Sequence, residues 1–216
     1  MALAAMQFLF DVISPYAYLA WKRVGALASA CGRELVATPV LFAAMLDTWG
    51  QKGPAEIGPK RVYTFKHVVR LAARQGVPLQ PPPHHPFNPL LALRVATAAR
   101  GDAAVIDALF DAVWASGVGV QDEATIADVL AARGLPAASL LAAATTPAIK
   151  DALRQATDAA IAQGVFGVPT VIVDGELFWG QDALDDVAAF VRGEDPAQAA
   201  AARWRALSPS ATRPRA

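Results

Sequence analysis

Only one cysteine, Cys31, occurs in the 216 residues, which excludes an intrachain disulfide and any metal cluster built on thiolates. That agrees with a reducing compartment, and a cytoplasmic protein is expected. Neither sign of charge is in excess. Nineteen Lys and Arg balance nineteen Asp and Glu, so no net field draws nucleic acid or an anionic membrane surface. Small molecules or other proteins are the expected partners. Long apolar runs are missing as well: charges interrupt the alanine-rich stretches before they reach the roughly 18 residues of a membrane span. No Lys or Arg precedes the first apolar residues, so a signal peptide is not expected either. What the chain has in quantity is hydrophobic side chains, 55% of the total, enough for a sizeable core in one domain with an insertion or in two small ones.

The stretch from Phe8 to Trp21 organises the rest. Met6 to Val12 is a largely apolar run of strand length, suited to a buried central strand. At Ser14-Pro15 the pattern restarts with helical spacing. Ser14 is a natural N-cap, and Pro15 suits the first helical position because its φ is already helical and its missing N–H had no partner to lose. The spacing predicts a helix from Pro15 to Cys31. A hydroxyl then sits where unpaired backbone N–H groups and the positive end of a helix dipole converge, which favours an anion such as a thiolate or phosphate. Taken alone, the segment reads first as a capped helix and nothing more.

Glu34 to Val40 predicts a second, parallel strand after the Gly32 stop, making a right-handed βαβ opening. From Leu41 to Gln163 strand signals vanish and helix punctuation repeats. Helices are expected from Pro59 to Gly76, from Asn88-Pro89 to Gly101, from Asp102 to Gly117, from Asp122 to Arg133, from Pro136 to Ala144 and from Thr146-Pro147 to Gly164. Strands return as Thr170–Val173 and Glu176–Trp179 around Asp174-Gly175, the strongest hairpin signal in the chain. Gln181 and Asp182 are expected to start a last helix, with a loosely attached tail beyond Gly193. The order βαβ, helices, ββα is that of an α/β thioredoxin-like fold carrying a large all-α insertion. Residues 1–40 and 164–193 make the thioredoxin-like part, 41–163 the insertion and 194–216 the tail.

Phe10-Asp-Val-Ile-Ser-Pro-Tyr-Ala-Tyr-Leu-Ala20, Gly164-Val-Phe-Gly-Val-Pro-Thr170 and Phe178-Trp-Gly-Gln-Asp-Ala-Leu184 together resemble the DsbA-like thioredoxin superfamily. With Pro59-Lys60, Tyr63 and Gly76-Val-Pro-Leu79, they resemble its branch of 2-hydroxychromene-2-carboxylate isomerases and kappa-class glutathione transferases, up to Arg192. DsbA-like oxidoreductases place Cys-x-x-Cys where this chain has Ser14-Pro15-Tyr16-Ala17. Disulfide exchange needs an attacking thiolate and a resolving thiol, and neither is present at that position. The resemblance implies glutathione as the cofactor, an isomerase acting on a small aromatic substrate, and Ser14 as the residue that stabilises the borrowed thiolate. It also implies a cis bond at Val168-Pro169 offering its backbone to the bound peptide, Gln181 and Asp182 at the γ-glutamyl end, and Lys60 near the glycyl carboxylate. Relatives are often dimers, so a homodimer is expected by analogy.

Departures from the branch lie at His67 and Leu71, where many relatives have aspartate and tryptophan, and in the segment Thr48 to Pro54. A kappa-like transferase or peroxidase, or a silent binding module using the Val168-Pro169 edge, stand as alternatives. His84-His85 lacks a third ligand nearby and is expected in an exposed loop. Trp49, Trp114 and Trp179 are expected in the core, or along an aromatic-substrate cleft.

Overall fold

A computed structural model describes residues 3–208; Met1 and Ala2, on which the leader expectation bears, and 209–216 of the tail lie outside the described residues. Four strands form one mixed sheet in the order β2-β1-β3-β4. Strand β1 (Ala5–Phe10) pairs parallel with β2 (Glu34–Pro39), Phe8 opposite Ala37, and antiparallel with β3 (Thr170–Val173), Phe8 opposite Val171. Strand β4 (Glu176–Trp179) returns from β3 through Asp174 and Gly175, both at positive φ as such a tight hairpin requires. β1 therefore lies inside the sheet, and Met6, Phe8 and Phe10 have no exposed surface.

Helix α1 (Pro15–Ala30) crosses from β1 to β2. Helices α2 (Phe42–Trp49), α3 (Gly58–Gln75), α4 (Leu90–Ala98), α5 (Ala103–Phe110), α6 (Glu123–Ala131), α7 (Ala137–Ala144) and α8 (Pro147–Ala162) fill the chain between β2 and β3. Helices α9 (Leu184–Val191) and α10 (Pro196–Arg205) follow β4. The larger of two buried clusters runs from Phe8 and Phe10 in the sheet through Trp114 and Leu130 to Leu184, so sheet and inserted helices share that core, and a smaller one gathers Leu9, Val40, Met45, Ala160, Val165 and Val168. Phe10, Trp21 and Phe110 meet as rings at 5.4–6.4 Å across that boundary. Lys22 of α1 is bridged to Asp107 and Asp111, which Arg133 also binds, so charge ties α1 to the insertion at the rim.

Several boundaries differ from the sequence reading. β1 stops at Phe10, because residues 11–14 leave the sheet to form the turn into α1. α2 carries no capping side chain of its own, and its first N–H is instead bonded by Asp11 from the end of β1, a partner no local pattern reveals. The helix begun at Asp102 changes to a single π-type stretch over Asp111–Ala115 before it ends. The last strongly amphipathic helix starts at Leu184, after a turn, and not at Gln181. The expected loose tail is helical over Pro196–Arg205.

Candidate active site

Residues 11–14 form a turn held from several elements. The Ser14 N–H donates to the Asp11 carbonyl at 3.1 Å. The Asp11 carboxylate, with no exposed surface, accepts from Ile13 N at 3.0 Å and from Phe42 N at 3.0 Å. Trp114 Nε1 donates to the Val12 carbonyl at 2.8 Å, and His85 Nε2 to the Ile13 carbonyl at 3.0 Å. Both carbonyls that the turn leaves without a strand partner are thus satisfied by side chains from the inserted helices and loop, as buried polar groups must be. Burial pushes the Asp11 carboxyl up to about 7, against the pull of its two N–H donors.

On this support Ser14 caps α1. Its Oγ accepts from Ala17 N at 3.2 Å and donates to the Val168 carbonyl at 3.5 Å. The Val168–Pro169 bond is cis, and the Pro169 carbonyl accepts from Gly180 N at 2.9 Å. Among the described residues the Val168 N–H has no hydrogen-bond partner. The first turn of α1 contains no acidic residue, so its positive end is not neutralised from within the helix. Ser14 and the Val168-Pro169 pair, 154 residues apart, are therefore brought together at a helix N-terminus.

Gln181 is 6% exposed and accepts from Gln75 Nε2 of α3 at 3.0 Å, while Arg23 bonds its carbonyl. The buried Gln75 Oε1 has no partner among the described residues. Asp182 is exposed in the turn before α9, and its carboxylate folds back over Gly180, where a Cβ would meet Oδ1 at 2.5 Å. The N-cap of α9 is Ala183, so capping does not account for Gln181 or Asp182. Lys60 is exposed in the first turn of α3, on nearly the same face as His67, about 10 Å further along the axis. His67 Nδ1 is 2.9 Å from the Tyr16 hydroxyl, and the Tyr63 ring stacks on His67 at 5.8 Å. No contact joins Lys60 to Ser14 among the described residues.

Sequence reasoning missed the supports of the turn. Asp11 reads as one more position of an apolar strand, yet a carboxylate ending such a run is a signal of a buried acceptor. His84 is exposed, but His85 is not: it packs edge-on to Phe65 at 5.2 Å and against Trp114 at 5.6 Å. Burial, and secondarily the charge of Arg61, hold its imidazole below the ordinary value. The cause lies in the Pro-rich loop, which turns inward to bring His85 to the Ile13 carbonyl. Trp114 is fully buried as expected, whereas Trp49 and Trp179 are 44% and 54% exposed. Each flanks the segment before Pro169: Trp49 Nε1 donates to the Val165 carbonyl at 3.0 Å, and Trp179 packs on Phe166 at 5.1 Å.

A mixed four-stranded sheet with a cis-proline entering β3, set against the N-terminus of the first helix, defines a thioredoxin-class fold. The chain belongs to the family of the DSBA-like thioredoxin domain, whose profile it matches over residues 5–192. The resemblance to hydroxychromene-carboxylate isomerases and kappa-class glutathione transferases extends along most of its length. It is 29% identical over 189 residues to the 2-hydroxychromene-2-carboxylate isomerase of Sphingobium xenophagum, covering 86% of this chain and 97% of that one. It is 26% identical over 206 residues to glutathione S-transferase kappa 1 of Rattus norvegicus, covering 88% and 91%. A solved 2-hydroxychromene-2-carboxylate isomerase superposes with a TM-score of 0.77 at 25% identity, over 94% of this chain and 98% of that one. No helix of the described residues is long and apolar enough to cross a membrane.

Proposed function

We propose that the chain is a glutathione-dependent isomerase that interconverts 2-hydroxychromene-2-carboxylate and its ring-opened benzylidenepyruvate form, or a near relative of that aromatic pair. The observation that carries the proposal is the meeting of Ser14, at the N-terminus of α1, with the cis Val168–Pro169 edge in a site without cysteine. Cys31 lies at the far end of α1, roughly 25 Å away along the axis, and supplies no sulfur there.

Glutathione fits the residues present. The unpartnered Val168 N–H suits an extended peptide pairing as an added strand segment. At the other end the orphaned Gln75 Oε1 and the exposed Asp182 carboxylate suit an ammonium, beside Gln181. Lys60, which takes part in no ion pair among the described residues, suits a carboxylate. When bound, glutathione supplies the thiolate that adds reversibly to a conjugated enone and so frees its double bond to rotate. The Ser14 hydroxyl, its proton turned from the Val168 carbonyl to the sulfur, and the Tyr16 N–H, the first-turn N–H of α1 with no partner among the described residues, are the donors that favour the ionised thiol over the neutral one.

The test follows the chromene absorbance with and without glutathione, in the wild type and in Ser14→Ala. Turnover should require glutathione and fall about 10²–10³-fold in the variant, the loss typical of one donor to a developing anion. Turnover indifferent to both removals rejects the proposal. The kappa-class relatives favour a second reading, transfer of glutathione to another electrophile; conjugation with the chromene left untouched selects it. A silent binding module is set apart by thermal shift, since glutathione at about a hundredfold over Kd adds about 2.7 kcal/mol to a chain that binds it.

A further inference from the structure

Helix α4 carries a single charged residue, Arg94, between Leu93 and Val95, both of which are fully buried. The Arg94 Nε is buried and has no hydrogen-bond partner among the described residues, and the guanidinium enters no ion pair among them. A cationic group drawn into the protein without a partner costs stability, so its retention calls for an anion from outside the chain. Arg94 lines a cleft of about 340 Å³ between α4, α8 and the start of α2. On the α8 wall Lys150, Arg154 and Asp158 follow one another at four-residue spacing and so share one face.

The charges of the cleft do not cancel. Arg154 is bonded to Asp151 at 3.0 Å, which leaves Arg94 and Lys150 against the one carboxylate of Asp158, a single positive charge in excess. Lys150 and Asp158 enter no ion pair among the described residues. Leu41, Leu90 and Leu153 add apolar wall beside these groups. We propose that the cleft is a second ligand site, for a small organic monocarboxylate with a short alkyl body, its carboxylate on the Arg94 guanidinium. The planar fork of a guanidinium matches the two oxygens of a carboxylate. One negative charge neutralises the excess, whereas a doubly charged phosphate meets repulsion from Asp158. The volume lies at the small end of ligand pockets, which suits a body of a few carbons. Ser14, Val168, Gln181 and Asp182 do not line the cleft, and the inference does not rest on the assignment of the Ser14 site.

The experiment is calorimetric titration of the full chain with pentanoate, beside pentanol and inorganic phosphate at matched ionic strength, in the absence of glutathione. One pentanoate should bind per chain, more tightly than either comparator. Arg94→Met, which keeps an unbranched side chain and removes the charge, should weaken pentanoate binding about tenfold or more. Lys150→Gln and Asp158→Asn, both at exposed positions of α8, should move the affinity in opposite directions, down and up, each by about twofold to threefold. These two carry the test if Arg94→Met does not fold. Saturating glutathione should leave pentanoate binding unchanged. Equal pentanoate affinity in the wild type and Arg94→Met overturns the site, as does an affinity that Lys150→Gln and Asp158→Asn leave unmoved or move the same way. Pentanol or phosphate bound as tightly as pentanoate overturns the assignment of a monocarboxylate. Displacement of pentanoate by glutathione also overturns the site, because the ligand is then at Ser14.

Discussion

In the proposed glutathione site, the end that would take the sulfur and the end that would take the charged groups are built in opposite ways. At the sulfur end the turn 11–14 is buried and pinned by its own Asp11, which also accepts from Phe42 N, and by Trp114 and His85 from the inserted segment, so the placement of the Ser14 hydroxyl is set largely by side chains distant in sequence. At the charge end Lys60 and Asp182 are exposed, and each depends on its own side chain alone. Rigid support goes where a hydroxyl must meet one atom, and exposed charge suffices where a flexible ligand terminus is to be held. His67, a departure from the branch, stands on the same face of α3 as Lys60, with its Nδ1 2.9 Å from the Tyr16 hydroxyl in the first turn of α1.

That contrast predicts large effects on stability at one end and small effects on binding at the other. The largest belongs to Asp11. Its carboxyl rises from 3.8 to about 7 on folding, so within that window the folded chain holds a proton that the unfolded chain has lost. Stability contributed by Asp11 is full below the window and is lost as pH rises through it, a fall on the order of 4 kcal/mol. Urea unfolding at the two ends of the window should show this fall in the wild type and not in Asp11→Asn; equal slopes contradict the burial argument. Next comes Trp114→Phe, which strands the Val12 carbonyl and should cost about 1–3 kcal/mol in chemical denaturation, before any cavity term. His85→Leu should act in the same direction, while His85→Gln, which keeps a donor, should recover part of the loss. Smallest are Lys60→Ala and Asp182→Asn, each expected to leave stability within about 0.5 kcal/mol of wild type. Each should weaken glutathione binding about threefold, less at high salt, in a calorimetric titration.

The same division explains what was legible in the sequence. Ser14, Pro15, Thr146 and Asp102 act on their own helix starts, and Asp174-Gly175 on its own hairpin, so local chemistry sufficed to place β1, α1, α5, α8 and the β3–β4 pair. Helix α2 escaped because its start is bonded by Asp11, 31 residues away. His85 and Trp114 were visible as residue types but not as supports, since their targets are main-chain carbonyls, which leave no mark on the residues that carry them. Gln181 and Asp182 looked like helix caps until the turn placed α9 two residues beyond Asp182. The family motif connected Ser14 with Val168-Pro169, a pairing across the sheet that periodicity alone does not supply.

The most direct test is the ionisation of the bound sulfur. Ultraviolet thiolate absorbance of glutathione, titrated with pH on the saturated protein, should give an apparent pKa below that of an ordinary thiol, about 8.5. In Ser14→Ala the value should return toward that of free glutathione while the peptide remains bound. A bound thiol that titrates like the free one in the wild type, or one that Ser14→Ala leaves unmoved, contradicts the account.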